Sequence, residues 1–500
     1  MAIEYSNQNR SMKNKITHVL ASFFLILSCK GQNESYALKS MEPHTVVAND
    51  GKSFLGEIGS IQVLENRDNP KSRLIEIPFF RLKTKSSNPL PPIFVLEGGP
   101  GDNPSIMQKM EDIITPISLF GSRSDIVLFD QRGNGNSSPS LSCENSFSLP
   151  LGVQLDQESF TKAYRTYIQE CSFYWQEGNS DLQGYNVVSM TDDIEALRKA
   201  LDYEKIILFG GSFGSHLGIT YIKRYPNQVD RASLDSPEGL QHTIKLPYEV
   251  DKVLVQLSDL VKADSVLSKK IPSFISLVKE TLNNLDKNPV RSKALDPETG
   301  KEIEIVVGKL DLQLATAMTL GRMGYRELPY YYLQMKSGDY SWLANRSIGL
   351  RRANGNIGNL MASLTDCSSS ITTKRKEEAS RQAEDAILGD ALNNVIFEVC
   401  DLLPLKDLNN ELETNFTSKV PLLVICGSQD ARTPIRNGME VISNFENSRL
   451  LIVKNGSHDL FPEAFDNNLA PLIVGFLSAD YPLKYPLPMQ IETALNLRID

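Results

Sequence analysis

Lys205–Gly218, KIILFGGSFGSHLG, is the stretch on which the fold turns. Ile206, Ile207, Leu208 and Phe209 form a short apolar run, as a strand buried on both faces requires, and the glycines after it break it sharply. Beyond the break, Leu217, Ile219, Tyr221 and Ile222 are spaced like the inner face of a helix, which Pro226 ends. The order is strand, tight turn, helix. Within the turn, Gly210, Ser212 and Gly214 spell G-x-S-x-G. A serine on so strained a turn needs neighbours without side chains, because strand and helix approach too closely there for a Cβ. Such a turn lifts Oγ of Ser212 above the sheet edge and leaves the backbone N–H of Phe213 free to bind an oxyanion.

Upstream, residues 58–64 and 74–82 read as strands, the second alternating apolar and polar residues like half of an exposed antiparallel pair. Residues 93–96 are a short buried strand running into Glu97, Gly98, Gly99, Pro100 and Gly101. The dinucleotide pattern G-x-G-x-x-G is absent here. Residues 126–129 are the next strand, followed by Asp130, Gln131, Arg132 and Gly133, a turn in which Asp130 and Arg132 are expected to pair with backbone or with each other. Residues 141–186 read as an excursion stapled to the core. Residues 192–201, DDIEALRKAL, read as a helix with acidic residues in its first turn and basic ones late.

After the Ser212 turn and its helix, residues 229–234 are one more strand. The alternation of strand and helix implies a mostly parallel, doubly wound α/β sheet. From 239 to 418 helical patterns dominate (250–260, 274–285, 310–320, 374–388), with a strand at 303–307, and an insertion of this length reads as a helical cap. The sheet resumes with strands at 422–426 and 450–453 and helices at 435–445 and 464–477. The chain therefore divides into a signal (1–28), a tether (29–50), the first part of the core (51–238), the cap (239–418) and the second part of the core (419–500).

At 500 residues, 41% hydrophobic and 8% aromatic, the chain can bury a sizeable core, and a net charge of -9 argues against nucleic acid as a partner. Arg10, Lys13 and Lys15 precede an apolar run from Val19 to Leu27, too short to span a bilayer, which reads as an export signal. Its end, LILSC, resembles a bacterial lipobox, so Cys29 is expected to carry a lipid that anchors the protein at the bacterial cell envelope. Of the other cysteines, Cys426 sits in an apolar run as a buried thiol. The remaining four allow three pairings, of which nearness in the chain favours Cys143 with Cys171 and Cys367 with Cys400. No C-x-x-C or H-E-x-x-H occurs, so neither metal nor cofactor is expected.

Ser212, Asp430 and His458 each follow a strand, in the order serine, acid, histidine that α/β-hydrolases require. In that fold the second oxyanion donor comes from the loop after the early strand, here Gly99, with Gly98 as its neighbour. Two alternatives are weaker: His216 as base, one helical turn from Ser212, and Asp459 as acid, adjacent to His458 and badly placed to reach its ring. Residues 97–101 (EGGPG), 130–137 (DQRGNGNS), 210–214 (GGSFG), 430–434 (DARTP) and the 456–458 turn together resemble the prolyl aminopeptidase and tripeptidyl aminopeptidase family of serine peptidases. The resemblance implies an α/β-hydrolase that removes one or a few residues from peptides with a free N-terminus, its cap closing the far end of the site. Prolyl aminopeptidases usually carry histidine where this chain has Glu97 and tryptophan where it has Phe213; the cysteine pairs and export signal look closer to the tripeptidyl branch. An aminopeptidase must neutralise the substrate's ammonium, and Glu238 is a possible anion for it. An esterase or lipase on the same fold, and a non-enzymatic envelope lipoprotein, are the competing readings.

Overall fold

Short apolar runs become the central strands of the sheet. The structure, a computed structural model, describes residues 36–499 apart from 102–103, 144, 146, 297–298, 353–358, 370–371 and 462–467. The expected signal, Cys29 and residues 30–35 lie outside the described residues. In chain order the strands are β1 (Tyr36–Val47), β2 (Ser53–Leu64), β3 (Leu74–Leu82), β4 (Ile93–Leu96), β5 (Ile126–Phe129), β6 (Ile206–Ser212), β7 (Val229–Pro237), β8 (Val290–Leu295), β9 (Glu302–Val307), β10 (Leu422–Gly427), β11 (Ser448–Lys454) and β12 (Gln490–Glu492). Ten of them form one sheet in the order β1-β2-β3-β5-β4-β6-β7-β10-β11-β12. β1, β2, β3 and β5 pair antiparallel, and every pairing from β5 to β12 is parallel.

Alternation decides which side of the sheet each residue feeds. Phe94, Leu96, Val127, Phe129 and Leu208 enter one core, with Ile194 and Leu197 of the helix Val187–Ala200 and Leu217 and Tyr221 of the helix Phe213–Arg224. Ile93, Val95, Ile126, Leu128, Ile207 and Phe209 enter the opposite core, covered by the helices Met110–Ser118 and Leu469–Ser478. Both faces of the central strands are therefore filled, as continuous apolar runs demand.

The inserted region has two parts. Helices between Pro247 and Arg351, with the β8-β9 hairpin, bury a core of their own built on Leu254, Val278, Ile305, Leu320 and Tyr332. Residues of the helix Leu360–Ser368 and of the turn Ile396–Leu402 instead join the sheet's own core through Leu360, Leu364 and Val399. The disulfides are Cys143–Cys171, which ties the excursion to its helix Gln157–Glu177, and Cys367–Cys400, which ties those two inserted segments together; Cys426 is a buried thiol in β10. Among the described residues no helix is long and apolar enough to cross a membrane.

Two expectations need correction. Most of the expected tether, residues 29–50, is not a tether: Tyr36–Val47 pairs antiparallel along β2. The helix expected at 192–201 begins at Val187, capped by Asn186 whose side chain accepts from Ser189 N at 2.9 Å, so Asp192 and Asp193 lie inside it rather than in its first turn.

Candidate active site

The elbow is built by close approach. A Cβ on Gly214 would lie 2.2 Å from the carbonyl oxygen of Leu96, and one on Gly210 would lie 2.7 Å from Leu96 Cβ, so only glycine fits where β6 and its helix cross β4. Ser212 sits between them at φ +54°, ψ −127°, a region that costs a side chain about 1–3 kcal/mol and survives only where the surroundings over-determine it. Its carbonyl accepts from Ser215 Oγ, which itself accepts from the N–H of Glu238 at 2.7 Å.

β10 and β11 deliver the other two groups. His458 Nδ1 lies 2.9 Å from Asp430 Oδ2. Asp430 Oδ1 accepts from the N–H groups of Arg432 at 2.8 Å and Thr433 at 2.9 Å, while Thr433 Oγ1 donates to Asp430 Oδ2 at 2.6 Å and stands 3.2 Å from His458 Nδ1. Burial alone would raise the Asp430 carboxyl, but His458 and the Thr433 bonds overcome it and hold it down at about 2. An ionised, fully buried carboxylate on Nδ1 leaves Nε2 as the working nitrogen of the ring.

Ser212, His458, Gly98 and Gly99 line one cavity of about 350 Å³. Gly99 holds φ +109°, where a side chain would be strained, and Phe213 opens the helix after Ser212. Gly98 and Gly99 thus line the cavity onto which Ser212 opens, and Phe213 follows Ser212 directly in the chain. The cavity also carries three carboxylates. Glu97 pairs with Lys109 at 2.7 Å and Asp459 with Arg322 at 2.9 Å, whereas Asp235, at the end of β7, forms no ion pair among the described residues.

The alternatives separate by geometry. Asp459 turns away from the His458 ring to Arg322 and to the N–H of Met323 at 3.0 Å. His216 is fully buried, with Nδ1 3.2 Å from the Gly239 carbonyl and its ring stacked 5.7 Å from Phe213; burial lowers its pKa. Glu238 is not on the cavity wall: it is buried against Lys245, whose ammonium neutralises it. Burial would raise its carboxyl, but Lys245 and His216 bring it below its ordinary value. An anion already paired in this way is not available to a substrate ammonium, which corrects the expectation for Glu238.

The Asp130–Ser137 turn is scaffold, as expected, but its charges do not pair with each other. Arg132 forks onto Asp193 with two bonds of 2.6 Å and donates to the carbonyls of Glu65 and Gly184 at 2.6 Å. Asp130 accepts from the N–H groups of Met107 and Asn136.

The inserted region touches both catalytic loops. The N–H of His458 donates to the Gly321 carbonyl at 2.7 Å, Tyr325 Oη donates to the Asn455 carbonyl at 2.9 Å, and a Cβ on Gly321 would lie 3.1 Å from the N–H nitrogen of Ala431. These contacts and Thr433 were missed from sequence. Thr433 had one local signal, a hydroxyl three residues after the acid, whereas Gly321 and Arg322 lie in a segment with no motif. Among the described residues no group of three or more His, Cys, Asp or Glu is placed to hold a metal ion.

A family model described as alpha/beta hydrolase fold matches residues 91–465, more than half of the chain. Serine protease Hip1 of Mycobacterium tuberculosis (strain ATCC 25618 / H37Rv) is 24% identical over 185 residues, 35% of this chain and 35% of that protein. Tripeptidyl aminopeptidase of Streptomyces lividans is 29% identical over 120 residues, 22% of each chain. The chain thus matches about a third of the length of the first relative and about a fifth of the second. The solved structure of proline iminopeptidase from Mycobacterium smegmatis aligns with a TM-score of 0.38 at 14% identity, covering 87% of this chain and 98% of that one.

Proposed function

The chain belongs to the α/β-hydrolase family, and on that premise we propose that it is a serine aminopeptidase acting through an acyl-enzyme on Ser212. The observation that carries the hydrolytic part is the Asp430–His458 pair and Ser212 meeting on one cavity. Ser212 Oγ attacks the scissile carbonyl while His458 Nε2 takes its proton, and Asp430 fixes the ring tautomer and stabilises the imidazolium. The N–H groups of Phe213 and Gly99 receive the oxyanion. His458 then protonates the leaving amine, and water resolves the ester by the same route in reverse.

Peptides as substrate are supported by the names of the partial relatives, a serine protease and a tripeptidyl aminopeptidase. Action from the N-terminus is supported by the name of the second of these, an aminopeptidase, and by the inserted segment seated against both catalytic loops beside the cavity. The LILSC ending supports export and attachment through Cys29 to the bacterial envelope, where extracytoplasmic peptides are the substrate pool.

The test compares a short peptide amide bearing a free N-terminus with its N-acetylated twin and a short-chain ester, using Ser212→Ala as control. Cleavage of the free peptide, weak or no cleavage of its twin, and loss of both in the variant are expected. Ester turnover with neither peptide cleaved contradicts the peptidase reading and leaves an esterase of the same fold.

A further inference from the structure

Asp235 is a buried acid that the acyl-transfer steps do not use. It ends β7 and is paired in register with Gly211, the residue immediately before the nucleophile. Adjacent strands lie about 4.8 Å apart. Its carboxylate leans towards the elbow, for a Cβ on Gly211 would meet Asp235 Oδ2 at 2.5 Å. It is 8% exposed, and it opens into the cavity shared by Ser212 and His458.

Charge balance singles it out. Of the cavity's other carboxylates, Glu97 is matched by Lys109 and Asp459 by Arg322, whereas Asp235 forms no ion pair among the described residues. Removing a carboxylate from water without a partner is costly, and a cation delivered by a ligand would remove that cost. Burial lifts the Asp235 carboxyl to about 6 against the pull of His458, and Asp430 adds to the rise.

We propose that Asp235 is the anchor for the substrate's ammonium group, and that its position beside the nucleophile makes the enzyme release one residue at a time. This rests on the aminopeptidase reading above. The second half of the inference is a matter of length. In the first residue of a peptide the nitrogen is two bonds from the carbonyl carbon, and each additional residue moves it about 3.3–3.6 Å farther along an extended chain. An anion one register position from Ser212 reaches the first spacing; for release of three residues it would have to lie roughly 7 Å farther away.

The test measures kcat and KM for an aminoacyl anilide with a free amine and for its N-acetyl twin, on the wild type and on Asp235→Asn, and follows a pentapeptide by mass spectrometry. Anchoring by Asp235 lowers the free-to-acetylated ratio of kcat/KM at least tenfold in Asp235→Asn, mainly through KM. The wild-type pentapeptide shortens by successive single residues. An equal loss on both anilides, as from a second carboxylate serving His458, overturns the anchor while the aminopeptidase reading stands. Release of intact di- or tripeptides by the wild type overturns the length argument without recourse to any variant. A wild type that cleaves neither free peptide nor free anilide removes the aminopeptidase reading itself, and the anchor with it.

Discussion

Asp193, inside the helix Val187–Ala200, and Asp235, at the end of β7, are both buried carboxylates, 3% and 8% exposed, and they sit in opposite electrostatic situations. Asp193 receives a two-pronged bond from the fully buried Arg132 and a further ion pair from Arg67. Asp235 faces a cavity and forms no ion pair among the described residues. Where the fold supplies every counter-charge, the carboxylate fixes the scaffold: Arg132 ties the Asp130–Ser137 turn to the helix Val187–Ala200 and to the carbonyls of Glu65 and Gly184. Where it withholds one, a charge is left for something the protein does not contain.

The largest effect expected is on turnover alone. Ser212→Ala should lower kcat by about 10⁴-fold or more, as loss of a nucleophilic serine does elsewhere, while thermal unfolding stays where it was. A variant that also unfolded early would mean that Ser212 belongs to the scaffold. Next comes the scaffold itself. Arg132→Met leaves Asp193 and two carbonyls buried with fewer partners, and should lower stability by about 3–5 kcal/mol in urea unfolding. A loss below about 1 kcal/mol would erase the contrast drawn here.

Asp235→Asn should move stability the other way. Because folding raises this carboxyl from 3.8 to about 6, the protonated form favours the folded state; that contribution is complete below pH 4 and is lost as pH rises through 6. The neutral amide escapes the loss, so the variant should melt above the wild type at pH 8, by up to about 3 kcal/mol before relaxation is allowed for, and the gap should close near pH 4. Equal melting temperatures at both pH values would mean that Asp235 is already paired. The smallest effect is expected at the cap. Arg322 is half exposed, so Arg322→Ala should cost under about 1 kcal/mol, yet lower kcat a few-fold by loosening the link between the cap and the loop of His458.

Much of this was legible in the sequence. β4, β5, β6 and β10 are short apolar runs broken by charged residues or glycine, as a strand filled on both faces is written. β1 was not, because an antiparallel edge strand is held by backbone bonds: of its twelve residues only Val46 is buried, and YALKSMEPHTVV reads as polar chain. The Asp193–Arg132 pair spans 61 positions, and local pattern makes Asp193 a helix-start acid until Asn186 is seen to cap the helix earlier. The free charge on Asp235 was illegible for the same reason. Its significance lies in β7 pairing with β6 and in the cations that the neighbouring acids acquire, and neither fact is local.

The most direct test of the account is to treat the protein with a fluorophosphonate and map the adduct by peptide mass spectrometry, with His458→Ala alongside. One adduct per chain, located on Ser212 and formed at least a hundredfold more slowly in His458→Ala, is the expected result. No adduct, or one on another residue, would contradict the central claim that Ser212 is the nucleophile activated by the His458–Asp430 pair.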